Sequence, residues 1–298
     1  VEAGALINDA LPVTIAIMML AVGMELAARD FAALLSSPKA AAIGLIGMFV
    51  AFPLLGFGVA AAMPLEPTLQ IGLVLLAASP SASTSTAFTY AARGDTALSI
   101  ALTTVSKVVP VIAIPFWVSL ASETFVGERT AMSLSFADTS ESLALTVLLP
   151  TLAGMLLRQR FPIATERLRP HLARLGIAAL VALIAAIVYR ERNTLGGMFV
   201  AAGPAAFSLC IIGMALAFGA TLLFRLPSTQ RSALTIEIGM QSGGTSIAIA
   251  AGVLHSPAMA VPAAIYSLIM YVAAGAFVTL VRAHEARTAH VIASGSRT

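Results

Sequence analysis

Two charged residues sit where charge is expensive. Lys107, one of only two lysines in the chain, lies inside the apolar run DTALSIALTTVSKVVPVIAIPFWVSLA (Asp95 to Ala121), and Glu237 lies inside SALTIEIGMQSGGTSIAIAAGVL. An ammonium at the centre of a membrane helix costs about 2.5 to 3.5 kcal/mol on insertion scales, so it is kept only against a counter-charge or a water-lined cavity. Glu237 is the obvious counter-charge, and the expectation is a buried Lys107–Glu237 ion pair. Read as one helix, the run from Asp95 sets Ser99, Thr103, Ser106 and Lys107 at spacings of three and four, a polar stripe on one face. At 1.5 Å per residue Lys107 is about 18 Å from Asp95, and Glu237 is about 12 Å from Thr229, which are matching depths. The plain alternative for any single hydroxyl of the stripe is a bond back to a carbonyl one turn earlier.

The elements that must hold these residues are membrane helices. Of the 298 residues, 59% are hydrophobic and 10% charged, against the roughly 25% charged residues of a soluble domain. The apolar residues fall in runs of about twenty, enough to cross about 30 Å of hydrocarbon. Nine such segments are read: Asn8 to Ala28, Lys39 to Met63, Thr68 to Arg93, Asp95 to Ala121, Ser140 to Leu157, Leu168 to Tyr189, Gly203 to Phe224, Thr229 to His255 and Pro257 to Val281. The expected fold is therefore an all-α membrane protein. The opening VEAGALINDALP has no basic stretch of the kind that precedes a cleaved signal, so the first segment is expected to remain as a span.

The net charge of +3 reports orientation, not nucleic-acid binding. With loops assigned to alternate sides, 13 of the 17 Lys and Arg residues fall on one face, three (Arg129, Arg190 and Arg192) on the other, and Lys107 is buried. The positive-inside rule makes the rich face cytoplasmic, with the N-terminus outside and the C-terminus inside a plasma or inner membrane. The lone Cys210 excludes an internal disulfide or a multi-cysteine metal site and reads as a small core hydrophobe. Residues 283–298 read as a polar, disordered cytoplasmic tail.

Two of the nine segments are interrupted. The third breaks at SPSASTST (Ser79 to Thr86), which combines Pro80 with a cluster of hydroxyls, and the eighth breaks at QSGGTS (Gln241 to Ser246). A break frees backbone groups that must be buried in protein or line a polar cavity. Either break alone reads as a kink. The two occupy corresponding places in a first half of four helices (1–121) and a second half of five (140–282). Discontinuous helices at matching places of inverted halves point to a secondary transporter with its site at their crossing.

Around these residues the chain resembles the bile acid:sodium symporter family, secondary transporters of organic anions. The resemblance covers nearly the whole chain and rests on GMELAARDF (Gly23 to Phe31), TYAARGDTALSIALTTVS (Thr89 to Ser106) and EIGMQSG (Glu237 to Gly243). It implies nine or ten helices, here the nine-helix form or a ten-helix form lacking its first helix. These are arranged as core and panel domains with broken helices crossing in the core. The resemblance further implies one cation site of Ser85, Thr86, Ser99, Thr103 and Glu237, and another of Glu237, Gln241, the backbone oxygens of Ile238 and Met240, and the side chain at Met48. Hard cations take oxygen ligands. The chain departs from the family with Thr86 and Ser242 in place of Asn and Met48 in place of Gln, and a thioether does not replace an amide oxygen for a hard ion. With Lys107 added, the expectation is that its ammonium stands in for a sodium ion opposite Glu237.

Taken together these readings describe a transporter, not an enzyme. Its partners are a small organic anion, bile-acid-like or a small carboxylate, and the lipid bilayer, with no nucleic acid and no cofactor beyond sodium, against which Lys107, Thr86, Met48 and Ser242 argue. Two alternatives compete. An arsenite-efflux transporter would place a cysteine at the first break, where this chain has hydroxyls. A membrane Ser-Lys hydrolase would have Lys107 activate Thr103 or Ser106. Glu25, Asp30, His171, His255, His284, His290 and Trp117 read as interfacial, loop or packing residues.

Overall fold

The computed structural model of the chain describes residues 2–26, 34–127 and 141–295. They form α1 (Glu2–Gly23), α2 (Pro38–Ala62), α3 (Pro67–Ala77), α4 (Ser85–Ala91), α5 (Thr96–Ser106), α6 (Pro110–Phe125), α7 (Glu141–Arg160), α8 (Pro162–Leu223), α9 (Ser228–Gly239), α10 (Gly243–Gly252) and α11 (Val261–Gly295). Among the described residues no strand forms. Four stretches are long and apolar enough to cross a membrane by length and composition: α2, α7, Gly196–Leu223 of α8, and Pro257–Arg287, which includes most of α11. The chain is a multi-pass membrane protein. Large apolar side chains such as Leu54, Ile112, Phe116, Leu149, Phe207 and Leu268 are exposed on these helices, as lipid contact requires.

Proline sets several of the joints. Pro67, Pro110 and Pro162 each stand in the first turn of their helices, where a missing N–H costs nothing. Pro53 and Pro150 instead follow π-helical turns, Gly47–Ala51 in α2 and Ala144–Leu148 in α7. A proline ring clashes with the carbonyl four residues earlier, and a widened turn relieves that clash. Trp117 of α6 then donates its indole N–H to the carbonyl of Phe49, which Pro53 cannot serve, at 3.1 Å.

Both expected interruptions are present. The first broken helix runs α3, break, α4, and the second runs α9, break, α10. Gly72 of α3 lies so close to Met259, beyond the end of α10, that an added Cβ would meet the Met259 carbonyl oxygen at 2.3 Å. The turn after α4 contacts the start of α9 through Asp95 N–H to Thr229 O at 2.9 Å. The two broken helices therefore run antiparallel and cross at their breaks.

Three expectations are corrected. The fourth segment is not one helix: α5 ends at Ser106, residues 107–109 tighten into a turn, and α6 starts at Pro110. Pro110 has no N–H to offer the Ser106 carbonyl and its ring crowds that carbonyl, so the regular ladder is interrupted there although Val109 itself keeps helical geometry. The sixth and seventh segments are joined, because α8 continues for 62 residues through the region of Arg190 and Arg192 that was read as an outer loop. Residues 283–295, assigned to a disordered tail, continue α11 as helix.

Candidate ion and substrate site

At the crossing, the freed backbone groups find partners across the two breaks. Ser81 and Gln241 form an antiparallel bridge, with Ala82 N–H donating to Met240 O at 2.8 Å and Ser242 N–H to Pro80 O at 2.7 Å. Side chains satisfy much of the remainder: Ser79 Oγ donates to Leu75 O and Ser246 Oγ to Ser79 Oγ, both at 2.7 Å. Ser106 Oγ accepts from Ser81 N–H at 3.1 Å, and Tyr266 donates to Gly239 O at 2.7 Å. The polar composition of the breaks is what makes them tolerable in hydrocarbon.

Glu237, two residues before the end of α9, is fully buried and collects hydroxyl groups from three directions. Its Oε1 accepts from Ser85 at the start of α4 and from Ser99 and Thr103 one turn apart on α5, each at 2.7 Å. Its Oε2 accepts a short bond from Ser81 in the first break. Thr86 joins the cluster with its Oγ1 at 3.1 Å from Ser99 Oγ. Every residue of the first expected cation site is thus brought together, and Thr86 still contributes an oxygen. Ser81 was missed. It precedes Ser85 by four residues, but the break between them hides the common direction that this spacing would signal in a helix.

The ring of oxygens suits a small hard cation. The Ser81–Ser85 and Ser85–Thr103 hydroxyl separations are both 3.4 Å. Two ligands at right angles, each about 2.4 Å from an ion, would stand about 3.4 Å apart. Among the described residues no Lys, Arg or His comes within 4.0 Å of the Glu237 carboxylate. A buried carboxylate at this depth calls for a positive partner.

The second expected set is only partly assembled. Gln241 is fully buried, with Nε2 donating to Ile238 O at 2.9 Å and Oε1 without a hydrogen-bond partner. The Met240 carbonyl already serves Ala82 N–H. Met48 is buried in the π-helical turn of α2, and the neighbouring Gly47 abuts Ile238. Gln241 Oε1 is the free oxygen there, while the Met48 thioether adds no hard ligand. Ser242 caps α10, its Oγ accepting from Thr245 N–H at 3.4 Å, and is not among the oxygens around Glu237.

The Lys107–Glu237 pair does not form. The Lys107 side chain reaches away from Glu237, and its Nζ lies 3.1 Å from Oε2 of Glu25, just past the end of α1. A cation at a helix C-terminus is also favoured by the carbonyl dipoles gathered there. Glu25 is in turn held by Arg158 of α7, which makes a short bond to its carbonyl, and by Arg169 of α8 at 4.0 Å. Glu25, read from sequence as interfacial, is therefore the true counter-charge; Asp30 lies outside the described residues. The Ser-Lys pairing is likewise not formed, since Ser106 Oγ donates to Thr103 O at 2.8 Å and Lys107 turns to Glu25. Arg93 closes α4 and pairs with Glu285 of α11 at 3.4 Å on an exposed surface. Cys210 is buried within α8.

Lys107 lines a cavity of about 40 Å³ between the crossing and helices α1, α6 and α7. Ser81, Ser83, Ser242 and Thr245 form its polar wall, beside Pro80.

Comparison with known proteins places this arrangement. The chain is 29% identical over 266 residues to an uncharacterized sodium-dependent transporter, YocS, of Bacillus subtilis (strain 168), covering 88% of this chain and 79% of that protein. It is 27% identical over 261 residues to a probable sodium/metabolite cotransporter, BASS2, chloroplastic, of Oryza sativa subsp. japonica, covering 87% of this chain and 60% of that protein. With the BASS1 counterpart of Arabidopsis thaliana the identity is 26% over 260 residues, 86% of this chain and 62% of the relative. The chain thus spans about three fifths of the length of these plant relatives. The model of the Sodium Bile acid symporter family matches residues 12–197, which include the first broken helix and the hydroxyl-bearing α5. By that match, over more than half its length, the chain belongs to the sodium bile acid symporter family.

Proposed function

We propose that the protein is a sodium-coupled symporter of an organic anion, working by alternating access about the crossing of its two broken helices. The single observation that carries this reading is Glu237: a fully buried carboxylate surrounded by the hydroxyls of Ser81, Ser85, Ser99 and Thr103, with no protein cation beside it among the described residues. A monovalent ion entering this cluster would exchange hydroxyl hydrogen bonds for coordination and neutralise the acid. Gln241 Oε1, buried without a partner, supports a second cation position next to it. The printed descriptions of the relatives, a sodium-dependent transporter and sodium/metabolite cotransporters, agree with ion coupling.

In this reading residues 1–121 and 140–282 are inverted halves, each holding one broken helix. The antiparallel course of the two broken helices supports that arrangement. The orientation with the N-terminus outside and the C-terminus in the cytoplasm is part of this proposal and rests on the charge pattern of the sequence alone. The substrate is a carboxylate, steroid or small, drawn to the only strongly buried cation in an ion pair of the described residues, Lys107.

The test is uptake of labelled anions into proteoliposomes under an inward sodium gradient, with choline as the replacement ion. Uptake is expected to fall at least tenfold without sodium in the wild type. Glu237→Gln, which keeps the shape and removes the charge, is expected to abolish the sodium-dependent part. Equal uptake in choline would refute the coupling.

A further inference from the structure

We propose that Lys107 is the residue that receives the substrate's carboxylate, and that Glu25 is an internal stand-in for that carboxylate, holding the ammonium until substrate replaces it. The assignment rests on the symport reading above and adds to it the identity of the anion-binding group and the class of ligand it selects.

The two members of the pair differ in how freely they can leave. The Lys107 side chain is 8% exposed, whereas that of Glu25 is 36% exposed. The lysine is rooted at the end of α5, one residue after Ser106, which accepts from Ser81 N–H at the crossing itself. Glu25 lies beyond the end of α1, whose Met19 and Val22 line the cavity, and is not itself a lining residue. If Glu25 moves away, a buried ammonium is left without a counter-charge, a state that apolar surroundings penalise until another anion arrives. Glu25 meets no such penalty, because Arg169 already stands 4.0 Å from its Oε1 at an exposed position and Arg158 holds its carbonyl. Releasing Lys107 therefore leaves Glu25 with a cation and Lys107 open to an exchange that conserves charge.

The cavity beside Lys107 says what would take the vacated place. Its volume of about 40 Å³ admits roughly three waters on a scale of about 10 to 15 Å³ each, or a carboxylate group, and not the body of an organic acid. Ser83, Ser242 and Thr245 lie on the wall nearest the breaks; the Ser242 and Thr245 hydroxyls are bonded to each other at 2.8 Å, which leaves Ser83 and one proton of that pair to offer the second carboxylate oxygen. The opposite wall is apolar, made by Met19 and Val22 of α1 and Leu143 and Val147 of α7. One ammonium with hydroxyl donors facing an apolar wall selects a monocarboxylate with an apolar body, the body fitting once these helices part from the crossing. Among the described residues no second cation lines the cavity, which disfavours dicarboxylates.

The experiment uses the full chain purified in detergent, with thermal stability read against pyruvate, cholate and the neutral amide of cholate, and in parallel reconstituted for uptake. At least one carboxylate is expected to raise the melting temperature of the wild type, and the amide to leave it unchanged. Lys107→Gln is expected to lose that response or need at least tenfold more ligand, and Lys107→Arg to retain it within a few fold. Glu25→Gln is the decisive variant, also where Lys107→Gln cannot be purified: freed of its internal competitor, the site is expected to respond at about tenfold lower carboxylate concentration. The assignment is overturned if neither carboxylate shifts the wild type, if Lys107→Gln responds as the wild type does, or if Glu25→Gln loses the response. Uptake separates the two claims. A carboxylate carried with unchanged KM by Lys107→Gln overturns the assignment and leaves symport standing, whereas one bound through Lys107 but never carried supports the assignment and refutes symport.

Discussion

Ser81 is tied to Gln241 through the backbone, in the bridge that joins the two breaks, while its side chain reaches Glu237. One residue thus couples the geometry of the crossing to the charge that an ion would neutralise. A shift of either half-helix would move the Ser81 hydroxyl relative to the carboxylate, which is the kind of differential contact that ligand-driven conformational change needs.

Ser81→Ala keeps the backbone bridge and removes one of four donors to Glu237. The effect on sodium comes from the ion-bound state, where the Ser81 oxygen would be a ligand: each ~1.4 kcal/mol by which that lost contact exceeds the lost hydrogen bond of the ion-free state is a factor of ten in sodium affinity. The sodium concentration for half-maximal uptake is expected to rise about tenfold or more, with the substrate KM at saturating sodium changed less than threefold. An unchanged sodium dependence would mean that Ser81 serves the fold alone.

Much of this site was legible in the chain because its residues announce themselves locally. Pro80 and its hydroxyl neighbours lie in the first break, whereas the Gly243–Gly244 pair that marked the second opens α10, just after the break at residues 240–242. Ser99 and Thr103 share a face by helical spacing, and both reach Glu237. The failures came where the answer depends on which element lies opposite. Helical spacing alone sets Lys107 on the face of Ser99 and Thr103 and opposite Glu237, since proline also occurs inside membrane helices. The regular helix gives way to a turn at Lys107, and the residue pairs with Glu25 beside α1. Glu25 looked like an end-of-helix charge, and nothing in its neighbours reports that a turn more than eighty positions away points at it. The joining of the sixth and seventh segments into α8 escaped for a related reason: polar and glycine residues at a membrane surface read as a loop, although they are also compatible with an exposed helix.

Gly72 provides a test of how closely the broken helix must be held. A Cβ at this position would lie 2.3 Å from the Met259 carbonyl oxygen and 2.9 Å from two further backbone atoms of that residue, none of which is the end of a flexible side chain. At Gly58 on α2, by contrast, nothing lies within 4 Å of an added Cβ. Overpacking typically costs about 1 to 3 kcal/mol, whereas replacing an unconstrained helical glycine by alanine gains up to about 1 kcal/mol. Gly72→Ala is expected to lower the melting temperature in detergent and to impair uptake, and Gly58→Ala to be neutral or mildly stabilising. Similar effects of the two substitutions would refute the close approach of α3 to the chain after α10.

Trp117 offers a prediction with its own internal control. Its indole N–H donates to Phe49 O at 3.1 Å, and Trp117 is 6% exposed, so the bond is sheltered from water. The acceptor sits four residues before Pro53, a position whose nitrogen carries no hydrogen and therefore cannot close the ordinary helical bond to it. Trp117→Phe keeps an aromatic ring but leaves that carbonyl without the indole donor, which should cost about 1 to 3 kcal/mol. Pro53→Ala restores a backbone N–H at the position that an α-helix would use. In the Trp117→Phe background it is expected to recover part of the lost stability, whereas alone it should gain less. The melting temperatures of the two single variants and the double variant form a cycle whose coupling term reads the interaction directly. Strict additivity would show that Trp117 and the proline-widened turn of α2, which also carries Met48 beside the crossing, are energetically independent.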